Sequence, residues 1–121
     1  MVALPATFTD WFAARGWSIH PHQRAMLDRA DAPALLLVAP TGGGKTLAGF
    51  LPSLVELSGK RERRGIHTLY ISPLKALAVD IARNLEAPVR EMALPIRIET
   101  RTGDTPHAKR KRQREQPPDI L

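Results

Sequence analysis

Apolar residues recur along this chain in two rhythms, and the switching between them predicts strands that each run into a helix. Phe8, Trp11 and Phe12 fall at helical spacing and predict a short amphipathic helix broken at Gly16, with Trp17 just beyond. Ala34-Leu35-Leu36-Leu37-Val38 is continuously apolar, the pattern of a strand covered on both faces in a parallel sheet. Leu47, Phe50, Leu51, Leu54 and Val55 then line one face of a helix, with Pro52 expected to kink it and Gly59 to end it. The residues from 58 to 65 read as a charged, solvated connection.

The plan repeats. Thr68-Leu69-Tyr70-Ile71 predicts a strand, Ser72 a helix N-cap and Pro73 the first helical position. Leu74, Leu77, Ala78, Ile81 and Leu85 form the apolar stripe, which Pro88 is expected to stop. A third unit follows: Ile96 to Thr100 alternates as a half-exposed strand, Thr105 caps, and Pro106 opens a helix that Pro117-Pro118 ends. Asp119-Ile120-Leu121 reads as the opening of a fourth strand, cut off. Strands alternating with helices predict the α/β class, a parallel sheet with flanking helices, here incomplete.

Composition narrows the classes without choosing among them. With 121 residues and 43% apolar content, the chain can build the core of one small domain. The absence of cysteine excludes disulfides, zinc ribbons and thiol catalysis. No apolar run approaches the roughly 20 residues of a membrane span, and the N-terminus lacks the pattern of a secretory signal, so the expectation is a cytoplasmic protein without a membrane partner. The net charge of +6, from 18 Lys and Arg against 12 Asp and Glu, suits a polyanionic partner but is ordinary for a soluble domain.

The sharpest chemical signal is Thr41-Gly42-Gly43-Gly44-Lys45-Thr46, placed between the first apolar run and the first long helix. Strand, glycine-rich turn and helix start form the context in which a phosphate loop works. Glycines reach φ values closed to other residues and leave backbone N–H groups open to an anion. Lys45 would carry its ammonium to the β- and γ-phosphates, and the Thr46 hydroxyl would hold Mg²⁺. Ala39 stands where the strict pattern has glycine, so the motif is a relaxed form, and a plain glycine-rich turn is its structural alternative.

Other residues carry weaker signals. Gln23, one short helix upstream, has the donor and acceptor that could read adenine bidentately, though such a glutamine is equally at home on an exposed helix face. His20 and His22 flank Pro21 with no third ligand at metal spacing, and read as turn and cap residues. Lys75 has the wrong charge for the start of a helix, which calls for an external anion such as a nucleic-acid phosphate or for a nearby Asp or Glu. Lys109 to Arg114 puts positive charge all round its helix, a pattern more often solvated than bound.

Taken in order, Gln23, the segment from Ala39 to Thr46, Ser72-Pro73-Leu74-Lys75-Ala76-Leu77 and Arg101-Thr102-Gly103-Asp104-Thr105 resemble the opening motifs of superfamily 2 DEAD/DEAH (DEXH)-box helicases. Within that superfamily the chain is similar to the Lhr-type branch, including the ligase-associated DEXH-box helicases of bacterial DNA repair. The resemblance implies a RecA-like P-loop domain over residues 34–121, preceded by a helical segment over 1–33 that carries the adenine-reading Gln23. It implies ATP and Mg²⁺ bound by Thr41, Gly42, Gly43, Gly44, Lys45 and Thr46. It further implies nucleic acid, single-stranded DNA in particular, held by Pro73, Leu74, Lys75, Thr102, Gly103, Asp104 and Thr105, and DNA-repair proteins as partners.

Members of that family continue to an Asp-Glu-x-His segment and a second motor domain; neither Asp-Glu-x-His nor Asp-Glu-Ala-Asp occurs in these 121 residues. No catalytic residue is therefore expected here, and the chain by itself is expected to bind ATP weakly without hydrolysing it. Two other classes fit parts of the sequence: a small P-loop kinase or phosphotransferase, and a nucleotide- or nucleic-acid-binding module without catalysis.

Overall fold

The computed structural model describes residues 2–39, 44–59 and 65–121. Five helices stand among them: α1 (Ala6–Ala14), α2 (Pro21–Asp28), α3 (Lys45–Gly59), α4 (Lys75–Glu91) and α5 (His107–Glu115). The chain divides into two compact units, Met1–Glu56 and Leu57–Leu121. Among the described residues, no helix is long and apolar enough to cross a membrane.

In the first unit the helical spacing of the rings does what amphipathic spacing does elsewhere: Phe8 and Phe12 are buried. Gly16 takes a φ of 68° and closes α1, with the Trp17 N–H donating to the Phe12 carbonyl at 2.8 Å and the Gly16 N–H to that of Ala13 at 3.0 Å. That pair of bonds satisfies two carbonyls that a helix end leaves open. Trp17 itself stays half-exposed, edge-on to Trp11, and the Arg15 guanidinium lies 4.8 and 5.0 Å from the two indoles. In α3, Ala48, Phe50, Leu51 and Leu54 are buried, so Pro52 is accommodated within a continuous helix, as its neighbours' burial favours.

The run predicted as a buried strand is a correction. Leu36 is 89% and Val38 83% exposed, and among the described residues 34–39 form no backbone bridge. A strand of this composition is covered only when neighbours lie on both faces, and among the described residues none covers Leu36 or Val38.

The second unit contains the only sheet pairing among the described residues, two isolated parallel bridges, Thr68 to Ile120 and Ile98 to Ile120. Ile120 thus sits between the segments predicted as the second and third strands. The Tyr70 N–H donates to the Leu121 carbonyl at 2.9 Å and the Leu121 N–H to that of Thr68 at 3.0 Å, while the Glu99 N–H donates to the Ile120 carbonyl at 3.0 Å. Ile120 is 2% exposed and Ile96 8%.

Three helix boundaries differ from expectation. Ser72 does not cap α4; its hydroxyl exchanges 3.3 Å bonds with the backbone of Leu74, which is the N-cap. A local side-chain turn has captured the serine before the helix could use it. Pro88 does not stop α4, which runs to Glu91. An internal proline costs about 3 kcal/mol, and burial of Leu85 and Val89, at about 1.5–3 kcal/mol each, offsets it. Thr105 does not cap α5 either: Pro106 is the N-cap, and the threonine hydroxyl accepts instead from the Thr102 N–H at 2.8 Å.

Candidate nucleotide and nucleic-acid sites

Within the first unit, the predicted nucleotide residues gather where α2 meets the start of α3. Thr41, Gly42 and Gly43 lie outside the described residues, as do Pro40 and the basic connection at 60–64. Gly44 precedes α3 with a φ of 77°, the left-handed region that glycine enters without penalty. Its carbonyl accepts the Ala48 N–H at 3.0 Å, the first helical bond, and the Gln23 Nε2–H at 3.3 Å. Lys45 and Thr46 are the first two residues of α3 and both are exposed. Their N–H groups, with that of Leu47, belong to the first turn, which has no intrahelical acceptors and carries the positive end of the helix dipole.

Gln23 is only 2% exposed. Its Oε1 accepts the His20 N–H at 2.9 Å, closing the start of α2, while its Nε2 holds Gly44. Among the described residues each end of the amide keeps one unused valence, the second lone pair of Oε1 and the second hydrogen of Nε2. A Cβ on Gly44 would lie 2.7 Å from Nε2, so a side chain there would have to displace the Gln23 amide as well as strain the backbone. His20 is the N-cap of α2 and stacks on His22 at 5.4 Å. Further along α2, the Val2 N–H donates to Asp28 at 2.9 Å and Arg24 pairs with Asp28 at 3.1 Å. The backbone bond first, and the Arg24 charge after it, hold that carboxyl below its usual range.

Within the second unit the two motifs expected to grip nucleic acid meet each other. Pro73 and Leu74 are exposed, and Lys75, the first residue of α4, forms an ion pair with Asp104. The misfit charge at that helix start therefore has an internal counter-ion. Both partners are largely exposed, and an exposed pair contributes about 0–1 kcal/mol, little enough for a phosphate to compete with.

The turn 102–105 is held by its own hydroxyls. Thr105 Oγ1 accepts the Thr102 N–H at 2.8 Å, Thr102 Oγ1 accepts the Asp104 N–H at 3.2 Å, and the Thr102 carbonyl accepts the Thr105 N–H at 3.2 Å. Among the described residues the Gly103 N–H has no acceptor, and a Cβ there would meet nothing within 4 Å.

Behind the turn stands a polar cluster that sequence reasoning missed. Arg110 Nη2 donates to the carbonyls of Thr102 at 2.7 Å and Gly103 at 3.2 Å. Gln113, 3% exposed, donates to the Thr100 carbonyl at 3.0 Å and to Glu99 at 3.2 Å. Glu99 also accepts from Arg97 at 2.7 Å and Arg112 at 2.9 Å. Burial pushes the Glu99 carboxyl up, but the bonds from Arg97 and Gln113 and the two guanidinium charges outweigh it and hold the group below its ordinary value. The i, i+3 spacing of Arg110 and Gln113 was the available signal; the unbroken charge of the segment concealed it.

Residues 20–121 match the DEAD/DEAH box helicase family. The chain is 39% identical to the ATP-dependent helicase Lhr-Core protein 2 of Thermococcus barophilus, over 93% of this chain and 15% of that protein. It is 43% identical to the Lhr helicase/probable uracil glycosylase of Mycolicibacterium smegmatis, over 93% of this chain and 8% of that one. Among solved structures, that of Mycobacterium smegmatis helicase Lhr bound to ssDNA and AMP-PNP superposes with a TM-score of 0.86 at 36% identity, covering 97% of this chain and 16% of the other. The chain thus spans less than a fifth of the length of these relatives, and its likeness to them supports a RecA-like domain. On the extent of the family match and the Lhr-type character of its relatives, the chain belongs to the DEAD/DEAH box helicase family.

Proposed function

We propose that the chain is the N-terminal part of an ATP-dependent DNA helicase, with a helical segment over 1–33 and the first part of a RecA-like ATP-binding domain, built on a parallel sheet, over 34–121. Thr41 to Thr46 would hold the phosphates, with the Lys45 ammonium serving the β- and γ-phosphates and the Thr46 hydroxyl serving Mg²⁺. Mg²⁺, when bound, neutralises charge on the phosphate oxygens. Gln23 offers its remaining donor and acceptor to adenine. Pro73, Leu74, Lys75 and Thr102 to Thr105 hold the backbone of single-stranded DNA, which positions a strand without reading its sequence.

The observation that carries this reading is the junction of α2 and α3, where Gln23 grips the carbonyl of a left-handed Gly44 directly before exposed Lys45 and Thr46. A relative whose solved structure is described as bound to ssDNA and AMP-PNP supports it. In the whole enzyme, ATP would close a cleft between two motor domains and hydrolysis would shift the grip along one strand. Work in the cytoplasm, with DNA-repair proteins as partners and a kinship to the ligase-associated enzymes, is part of the same proposal. These 121 residues alone bind ATP without turning it over, since phosphoryl transfer needs the carboxylates of an Asp-Glu-x-His segment, which they lack.

The test uses Lys45→Ala. Binding of a fluorescent ATP analogue with Mg²⁺ should be lost, while anisotropy of labelled single-stranded DNA stays as in the wild type. Nucleotide binding unchanged in the variant would remove the site, and DNA binding that is negligible and indifferent to salt would favour a small phosphotransferase instead.

A further inference from the structure

Building on the nucleic-acid reading above, we infer that Arg110 is a positioning residue: it fixes the turn 102–105 in the one arrangement that leaves three donors for a phosphate, and does not touch the phosphate itself. The inference starts from what each polar group in the turn has already spent. Both hydroxyl oxygens accept a backbone N–H, Thr105 Oγ1 from Thr102 and Thr102 Oγ1 from Asp104. A hydroxyl carries one proton besides its lone pairs, and neither proton has an acceptor among the described residues. With the Gly103 N–H, three hydrogen-bond donors remain within four consecutive residues. A phosphodiester is a cluster of acceptors, so this turn matches it donor for acceptor.

A turn with unspent donors needs its carbonyls directed elsewhere, because acceptor oxygens near a phosphate repel it. Arg110 does this. Its Nη2 draws the carbonyls of Thr102 and Gly103 to 2.7 and 3.2 Å, on the side where α5 lies. Its Nε is enclosed and has no partner among the described residues, so the side chain is not a mobile surface cation. The Gln113 bonds to Thr100 and Glu99 anchor α5 to the residues just before the turn, so the helix that carries Arg110 is itself fixed. The basic run therefore divides by role. Arg110 and Arg112 donate to this unit's own acceptors, Arg112 from an exposed position, while Lys111 and Arg114 are exposed.

Salt dependence separates a positioning arginine from a phosphate-binding one. Each cation that meets a single-strand phosphate releases counter-ions and contributes about 0.7 to the slope of log affinity against log salt. In the full chain, Arg110→Met should weaken single-stranded DNA binding about three- to tenfold, as expected for about one or two lost hydrogen bonds, and leave that slope at its wild-type value. A slope lower by about 0.7 would make Arg110 a direct phosphate ligand and overturn the inference. Unchanged affinity would overturn it as well. Should the variant fail to fold, the wild-type chain labelled with ¹⁵N-arginine decides: a protected Arg110 Nη–H signal before DNA, unmoved after it, is the expected result, and an unprotected or shifting signal is fatal. A wild-type chain that shows no salt-dependent binding sinks the nucleic-acid reading together with this one, an outcome distinct from failure of Arg110 alone.

Discussion

At the scale of single residues, Gly44 is where backbone geometry, packing and the candidate nucleotide site coincide. Its φ of 77° costs a side-chain-bearing residue about 1–2 kcal/mol. A methyl group would also stand 2.7 Å from a Gln23 nitrogen that is buried and already hydrogen-bonded, so the amide would have to move and lose its hold on the Gly44 carbonyl. Gly44→Ala should therefore destabilise the chain by about 2–3 kcal/mol in urea unfolding. In a Gln23→Ala background the added cost should shrink to the backbone share alone, about 1–2 kcal/mol, because nothing is left to collide with. Equal costs in both backgrounds would mean that Gln23 does not brace the turn. The sequence displayed Gly44, Lys45 and Gln23 as separate signals, each legible by residue type. Their mutual contact was not legible, because spacing in the chain carries no information on which side chain reaches a carbonyl 21 residues away.

At the scale of elements, two glycine-type helix ends among the described residues make a controlled comparison. α1 and α4 close with the same pair of bonds: Trp17 to Phe12 and Gly16 to Ala13 in one, Leu94 to Val89 at 2.9 Å and Ala93 to Arg90 at 3.1 Å in the other. The left-handed position is glycine in α1 but Ala93, with a φ of 53°, in α4. Alanine bears the strain that glycine avoids, although it also limits the unfolded chain more. Ala93→Gly should accordingly stabilise by about 0.5–1 kcal/mol, read as a higher urea midpoint at unchanged slope; a lower midpoint would show that the alanine methyl is held by packing. This helix end also explains where pattern reading failed. Pro88 looked like a terminator because its missing N–H is a local property, whereas the burial of Leu85 and Val89 that carries the helix past it belongs to the tertiary fold. The helix starts failed for the opposite reason: Ser72 and Thr105 are good caps by type, but nearer backbone groups took their hydroxyls first. The parallel pairing at Ile120 was legible from a mere three residues, since a short apolar run after Pro117-Pro118 has few other uses.

At the scale of the whole molecule, charge and exposed apolar surface set two tendencies with opposite responses to salt. In the first unit Leu36 and Val38 are 89% and 83% exposed, and in the second Leu69 and Ile71 are 61% and 80% exposed. Each pair is spaced two residues apart, and both members of each are exposed. Covering an aliphatic side chain of this size is worth about 1.5–3 kcal/mol. The net charge of +6 opposes the meeting of two copies, and salt weakens that opposition once charges lie more than a Debye length apart, about 8 Å at physiological ionic strength. The apolar term is not weakened by salt. The chain should thus associate more at high salt than at low, seen in sedimentation velocity as a weight-average coefficient that rises with both protein and salt. Leu36→Lys combined with Ile71→Lys should hold it to a monomer under both conditions. Binding to single-stranded DNA through Lys75 and the turn 102–105 has the reverse sign, because the gain from releasing counter-ions shrinks as salt rises. A chain that stays monomeric at high salt and high protein concentration would refute the apolar argument while leaving the nucleic-acid one untouched, since the two draw on different residues.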